Sequence, residues 1–195
     1  GRICGISVLR RIIEKVAPRL QLATHFEDGA VVSARAALAQ LSGDAREILL
    51  VERTCLNFLG RLCGIATLTA EYVALISRTN ARLYDTRKTT PGWRRLEKFA
   101  VRCGGGHNHR LGLHDAILIK DNHLAMLRSL VGAEVNVVEL AVCKAQDWVR
   151  QNSAQLPAGI GTIIQIEVDR LSQLEQALRA GPAIILLDNM SPDIL

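Results

Sequence analysis

The spacing of apolar positions changes character near residue 80. Before it, the chain reads as an amphipathic segment over Val8–Ala17, a turn at Asp28-Gly29 and a short alternating stretch. Helical periodicity then runs from about Ala45 to Ser77, and Gly64 is predicted to divide it into two helices. Beyond residue 80, short apolar or β-branched runs alternate with helical patterns: Ala81–Tyr84, Trp93–Arg102, Ala116–Ile119, Glu134–Gln151, Thr162–Val168, Leu171–Arg179 and Ala183–Leu187. Regular alternation of strand and helix implies a parallel sheet. The Leu171 helix has matching end signals, with Ser172 and Glu175 spaced as a capping box, Arg179 in the last turn and Gly181 just beyond.

A parallel α/β sheet either closes into a barrel or stays open, and periodicity does not choose between them. The polar residues are more informative. Each predicted strand ends in ionisable groups: Asp85, Arg87 and Lys88 after the first, Lys120 and Asp121 after the second, Glu167 within the third, and Asp188 with Asn189 after the fourth. Both sheet types build their sites at the C-terminal ends of strands, so these groups are expected to meet at one mouth. The predicted strands are too few to close a barrel, and the pattern is expected to continue past both ends of the sequence.

Composition narrows the function classes. The 195 residues are 49% hydrophobic, with no apolar run read as long enough to span a bilayer and no N-terminal signal segment, so a cytoplasmic protein without membrane contact is expected. Five scattered cysteines read as reduced thiols packed like small apolar groups. The net charge of +5 concentrates between Asp85 and His123, where eight Lys or Arg face four acids and four of the five histidines also fall. Aromatic residues make up only 4% and do not interleave with these cations, which argues against nucleic acid. Arginine forks suit carboxylates and lysine suits phosphate, so an anionic small molecule with carboxylate and phosphate groups fits the inventory.

Three stretches are more specific: Asp85-Thr86-Arg87-Lys88-Thr89-Thr90-Pro91-Gly92, the run from Lys98 through Gly104-Gly105-Gly106-His107-Asn108-His109-Arg110 to Leu113, and Ile119-Lys120-Asp121-Asn122-His123. With Glu52-Arg53-Thr54 upstream, and Ile166-Glu167-Val168 and Leu187-Asp188-Asn189-Met190 downstream, they resemble the quinolinate phosphoribosyltransferase family over nearly the whole chain, most weakly from Met126 to Gly161. The resemblance implies an N-terminal α/β sandwich portion (residues 1–60) followed by an incomplete parallel α/β barrel (61–195), truncated at both ends relative to the family. It implies phosphoribosyl transfer from phosphoribosyl pyrophosphate to quinolinate with decarboxylation, in NAD biosynthesis, by a homodimer with shared active sites, a higher oligomer being left open.

Residue roles follow from the same resemblance. Arg53, Arg87, His109, Arg110 and Lys120 would hold the two quinolinate carboxylates, with Arg53 serving the neighbouring subunit's site. Lys88 would contact substrate and pyrophosphate, while Glu167 and Asp188 would bind the ribose hydroxyls directly or through magnesium. Lys88, Lys120, Glu167 and Asp188 make up the expected catalytic set. Rival readings are a sister pyrophosphorylase with another acceptor, and an inactive or ligand-binding relative.

Other signals carry less. His107-Asn108-His109 has metal-ligand spacing but lies between Arg102 and Arg110, whose charges oppose a cation. Gly104–Gly106 lacks the Lys-Ser/Thr of a phosphate loop and reads as a turn letting backbone approach a ligand. Cys103 reads as structural, and Trp93 and Trp148 as packing residues.

Overall fold

A computed structural model describes residues 1–156 and 163–195, in two compact units, Gly1–Leu111 and Gly112–Leu195.

The first unit opens with α1 (Ile6–Val16), whose Leu9 and Ile13 are buried against Val51 and Cys55. Its N-terminus is capped from a distance. The Asp28 carboxylate accepts from the backbone N–H groups of Gly5 (2.6 Å), Ile6 (2.8 Å) and Ser7 (3.1 Å), satisfying donors that a helix start leaves open. Strands β1 (Gln21–Thr24) and β2 (Ala39–Ser42) pair antiparallel, Gln21 opposite Ser42. The alternating stretch read after Asp28-Gly29 covers β2, whereas β1, before that turn, was not predicted.

The two helices predicted around Gly64 are one, α2 (Ala45–Leu75), 31 residues long and capped by the Asp44 side chain at Arg46 N–H (2.8 Å). A glycine costs a helix only about 1 kcal/mol. That cost is offset because Val51 and Cys55 pack in α1's core, while Leu62 and Ala66 pack with Ala100 of α3 (Arg94–Cys103). The length and mean hydropathy of α2 (1.3 over 18 residues) are those of a bilayer-crossing helix, which the sequence pattern did not bring out.

Ala81–Tyr84 does not form a full strand. It makes one parallel bridge, Tyr84 to His107, closed by Asp85 N–H to His107 O (3.0 Å) and His107 N–H to Leu83 O (2.8 Å). The glycine run that follows α3 lies against α2: a Cβ on Gly104 would sit 2.4 Å from the Ala66 carbonyl oxygen and 2.5 Å from Thr69 Cβ. Close helix approach requires glycine at position 104. All five cysteines are free thiols; Cys4 and Cys55 are buried, the other three half-buried, and burial pushes Cys4, Cys55 and Cys103 up in pKa.

The second unit holds the predicted parallel sheet, in the order β3 (Ile117–Ile119), β4 (Ile164–Val168), β5 (Ile184–Leu187). Thr162, assigned to the β4 run from sequence, lies outside the described residues. Ile164, Ile166 and Val168 face a core shared with α4 (Asp121–Val131), α5 (Val137–Asn152) and α6 (Leu171–Ala180). Helix α4 was not predicted; its N-terminus is fixed by Lys120 N–H donating to His123 Nδ1 (2.9 Å). The Ser172/Glu175 capping box does not form. Helix α6 begins two residues earlier than that box requires, with Arg170 at the cap position, and the Gln173 side chain accepts from Asp169 N–H (3.0 Å). Its other end is as expected, with Gly181 left-handed (φ 65°) and bonded to Ala177 O (3.1 Å). Trp93 stacks on Phe58 (4.6 Å between rings), whereas Trp148 is 48% exposed and does not fill a core.

Candidate active site

In the first unit, the cation-rich segments 85–90 and 107–111 are joined through Asp85. Its carboxylate accepts from His109 N–H (2.8 Å) and the Asn108 amide (2.6 Å), and it pairs with Lys98, which also donates to His109 O (3.0 Å). Both partners of the pair are buried, with side chains 5% and 8% exposed. Lys98 can reach inward because α3 turns it toward the Tyr84–His107 bridge.

A second buried acid, Glu97, precedes it. Glu97 lies on the apolar stripe formed by Trp93 at the cap and Leu96 and Ala100 of α3, about one turn from its start, and there it accepts from Arg61 (2.7 Å), Thr90 Oγ1 (2.8 Å) and Thr90 N–H (3.2 Å). Burial alone would raise its pKa, yet the Arg61 and Thr90 bonds outweigh it and hold the carboxylate below the ordinary glutamate value. A cleft of about 190 Å³ opens over this network, lined in part by Arg61, Thr86 and Lys88.

Arg94 completes the assembly. Its guanidinium donates to Arg87 O (3.3 Å), Thr89 Oγ1 (3.2 Å) and Leu111 O (3.2 Å), bridging both segments from the first turn of α3. Arg87 has its Nε buried without a hydrogen bond, while Lys88 is exposed and His109 and Arg110 are half-buried. Arg53 is not brought to this cluster within the unit. It is exposed on α2, eight residues before Arg61, or about 12 Å along the axis.

The second unit gathers its predicted residues through strand register. Ile119 lies opposite Ile166, so Lys120 and Glu167, one residue on, are neighbours, and Lys120 Nζ donates to the two carboxylate oxygens at 2.8 and 3.2 Å. Glu167 points to the side of the sheet away from Ile166 and Val168. Val168 pairs with Leu187, and Asp188 N–H donates to Val168 O (2.9 Å), which carries Asp188 to the same strand ends. Asn189 then turns the chain with φ 54° and donates its amide to Asp188 (3.1 Å). Asp121, Glu167, Asp169, Asp188 and Asn189 line a polar cleft of about 380 Å³. Among the described residues, no group of three or more His, Cys, Asp or Glu is placed to hold a metal ion. Two carboxylates in an acidic cleft fit magnesium, which commonly takes one or two carboxylates and keeps water or phosphate for its remaining positions.

Sequence reasoning missed Arg61, Glu97 and Arg94 as organisers. Glu97 carried a usable signal, an acid on the apolar stripe of an otherwise amphipathic helix.

Residues 1–63 match the family description "Quinolinate phosphoribosyl transferase, N-terminal domain", and residues 65–195 the corresponding "C-terminal domain". The chain is 38% identical over 193 residues to a probable nicotinate-nucleotide pyrophosphorylase [carboxylating] of Bacillus subtilis, covering 99% of this chain and 61% of the relative. It is 40% identical over 191 residues to the nicotinate-nucleotide pyrophosphorylase [carboxylating] of Mycobacterium leprae, covering 97% and 61%. Among solved structures, the nicotinate-nucleotide pyrophosphorylase of Francisella tularensis superposes with a TM-score of 0.83 at 40% identity, covering 98% of this chain and 62% of that one. The chain thus spans about three fifths of the length of these relatives.

Proposed function

Since this chain belongs to the quinolinate phosphoribosyltransferase family, we propose that the protein carrying it transfers a phosphoribosyl group from phosphoribosyl pyrophosphate to quinolinate, with loss of carbon dioxide, for NAD biosynthesis. The observation that carries this reading is the anchoring of Arg87, Lys88, His109 and Arg110 on two segments tied together by Asp85 and Arg94. Arg87, His109 and Arg110, with Lys120, supply charge and hydrogen bonds to two ring carboxylates, and Lys88 meets the substrate and the pyrophosphate. Glu167 and Asp188 accept from the ribose hydroxyls. Magnesium fits beside them, directly or through water, and when bound it supplies countercharge to the pyrophosphate.

Transfer breaks the bond from C1 of the sugar to pyrophosphate and forms one from C1 to the pyridine nitrogen. The resulting pyridinium accepts the electron pair released when the 2-carboxylate leaves as carbon dioxide, and a proton is then taken up at C2. The protein mainly orients the reactants and neutralises charge. Exposed Arg53, remote from Arg61, is read as serving the partner's site in a cytoplasmic homodimer.

The test is binding and turnover in the full-length protein. Quinolinate should bind about tenfold to a hundredfold more tightly than nicotinate, because the monoacid leaves half-buried cations unpaired, a loss below the ~3–5 kcal/mol of a fully buried pair at about 1.4 kcal/mol per power of ten. Equal affinities by calorimetry, or no nicotinate mononucleotide formed from quinolinate and phosphoribosyl pyrophosphate with magnesium, would overturn the reading.

A further inference from the structure

We infer that Arg94 is a positioning residue which sets the separation of the two cation-bearing segments and thereby the preference for an acceptor with two carboxylates; this rests on the function proposed above. Three observations carry it. Its guanidinium spends donors on both segments at once, on Arg87 O and Thr89 Oγ1 of one and on Leu111 O of the other, at 3.2–3.3 Å. Two of these acceptors are backbone carbonyls, one of Arg87 itself and one of the residue after Arg110, so the bonds fix main chain beside side chains read as substrate-binding. The guanidinium also stands on a rigid base. Arg94 is the first residue of α3, and Trp93 before it is stacked on Phe58 of α2.

Only a planar fork can serve three acceptors lying in different directions. A lysine ammonium keeps the charge but cannot span them. Loss of the bridge would let Arg87–Thr89 and Leu111 drift about the joint that Asp85 keeps with Lys98, Asn108 and His109. Two carboxylates on one ring need both segments in register, whereas one carboxylate needs only one of them. Release of the spacing therefore weakens the diacid more than the monoacid. Phosphoribosyl pyrophosphate, whose ribose is read as bound by Glu167 and Asp188 outside both segments, should be affected less.

The experiment compares Arg94→Lys with Arg95→Lys, a neighbouring exposed arginine, in the full-length protein. The readouts are KM for each substrate, kcat, calorimetric affinity for quinolinate and nicotinate, and melting temperature. Arg94→Lys should raise KM for quinolinate by about tenfold to a hundredfold, the scale expected for small misplacements of binding groups. The quinolinate-to-nicotinate preference should fall by a similar factor, while KM for phosphoribosyl pyrophosphate and the melting temperature stay near wild type. Arg95→Lys should change none of them. If Arg94→Lys does not fold, Thr89→Val gives the same test in milder form, since it deletes one of the three acceptors. An unchanged preference, or equal loss for both substrates together with a lower melting temperature, would overturn the positioning role while leaving the proposed function intact. Failure of the wild type to prefer quinolinate would overturn that function, and this inference with it.

Discussion

Removing the Asp85 carboxylate is the most severe single change the first unit offers away from its apolar core. In Asp85→Ala, the Lys98 ammonium stays buried with only the His109 carbonyl, at 3.0 Å, as a remaining partner. The His109 N–H loses the same carboxylate, and the Asn108 amide keeps its bond to the Lys98 carbonyl (2.8 Å) but loses the one to Asp85. Breaking a buried ion pair from one side costs about 3–5 kcal/mol. Against a total stability of about 5–15 kcal/mol, that removes about a fifth or more. At about 2–4 °C per kcal/mol for a protein of this size, the melting temperature should fall by about 6–20 °C. Lys98→Met should cost less, because the carboxylate keeps two donors. The double variant Asp85→Ala/Lys98→Met should be more stable than the sum of the single losses predicts, by about 0.5–3 kcal/mol. Urea midpoints at constant slope give all three values. Additivity within about 0.5 kcal/mol would refute the reasoning, since it would mean that the two charges do not depend on each other.

Two further outcomes are expected. Glu97→Gln should destabilise near neutral pH, and the gap to wild type should close as pH falls below about 4.3, because a carboxylate depressed on folding stabilises above its unfolded pKa and loses that contribution on protonation; a pH-independent gap in urea midpoints would contradict the assignment. For the shared dimer site, Arg53→Ala and Lys120→Ala full-length chains, each nearly inactive, should regain roughly one quarter of wild-type activity when refolded together in equal amounts. Mixed dimers confirmed by mass but no more active than the mean of the two mutants would place Arg53 in its own chain's site.

The parallel sheet of the second unit was legible because its strands are short apolar runs between strong helical patterns, and strand register then delivers Lys120 next to Glu167 without further information. The first unit was harder to read. Gly64 resembled a helix break, but packing of α2 on α1 at one end and on α3 at the other outweighs a glycine's small cost. Ala81–Tyr84 has the composition of a strand, yet only Tyr84 finds a partner, because pairing depends on where α3 returns the chain. The candidate cations and Asp85 could be named from motifs and strand ends, whereas Arg61, Glu97 and Arg94 act through contacts that periodicity does not encode. The capping box at Ser172 failed for a local reason, since Gln173 competes successfully for the same end of α6.

The single bridge between Tyr84 and His107, with α3 as its crossover, bears on the order in which the molecule assembles. The bonds described above between segment 85–90 and segment 107–111 are made among residues 85 to 111, close together along the chain. Closing so short a loop carries a small entropic cost, and contacts of low sequence separation form quickly. These loops can therefore take shape once α3 docks on α2, without waiting for the slower parallel pairing of β3, β4 and β5.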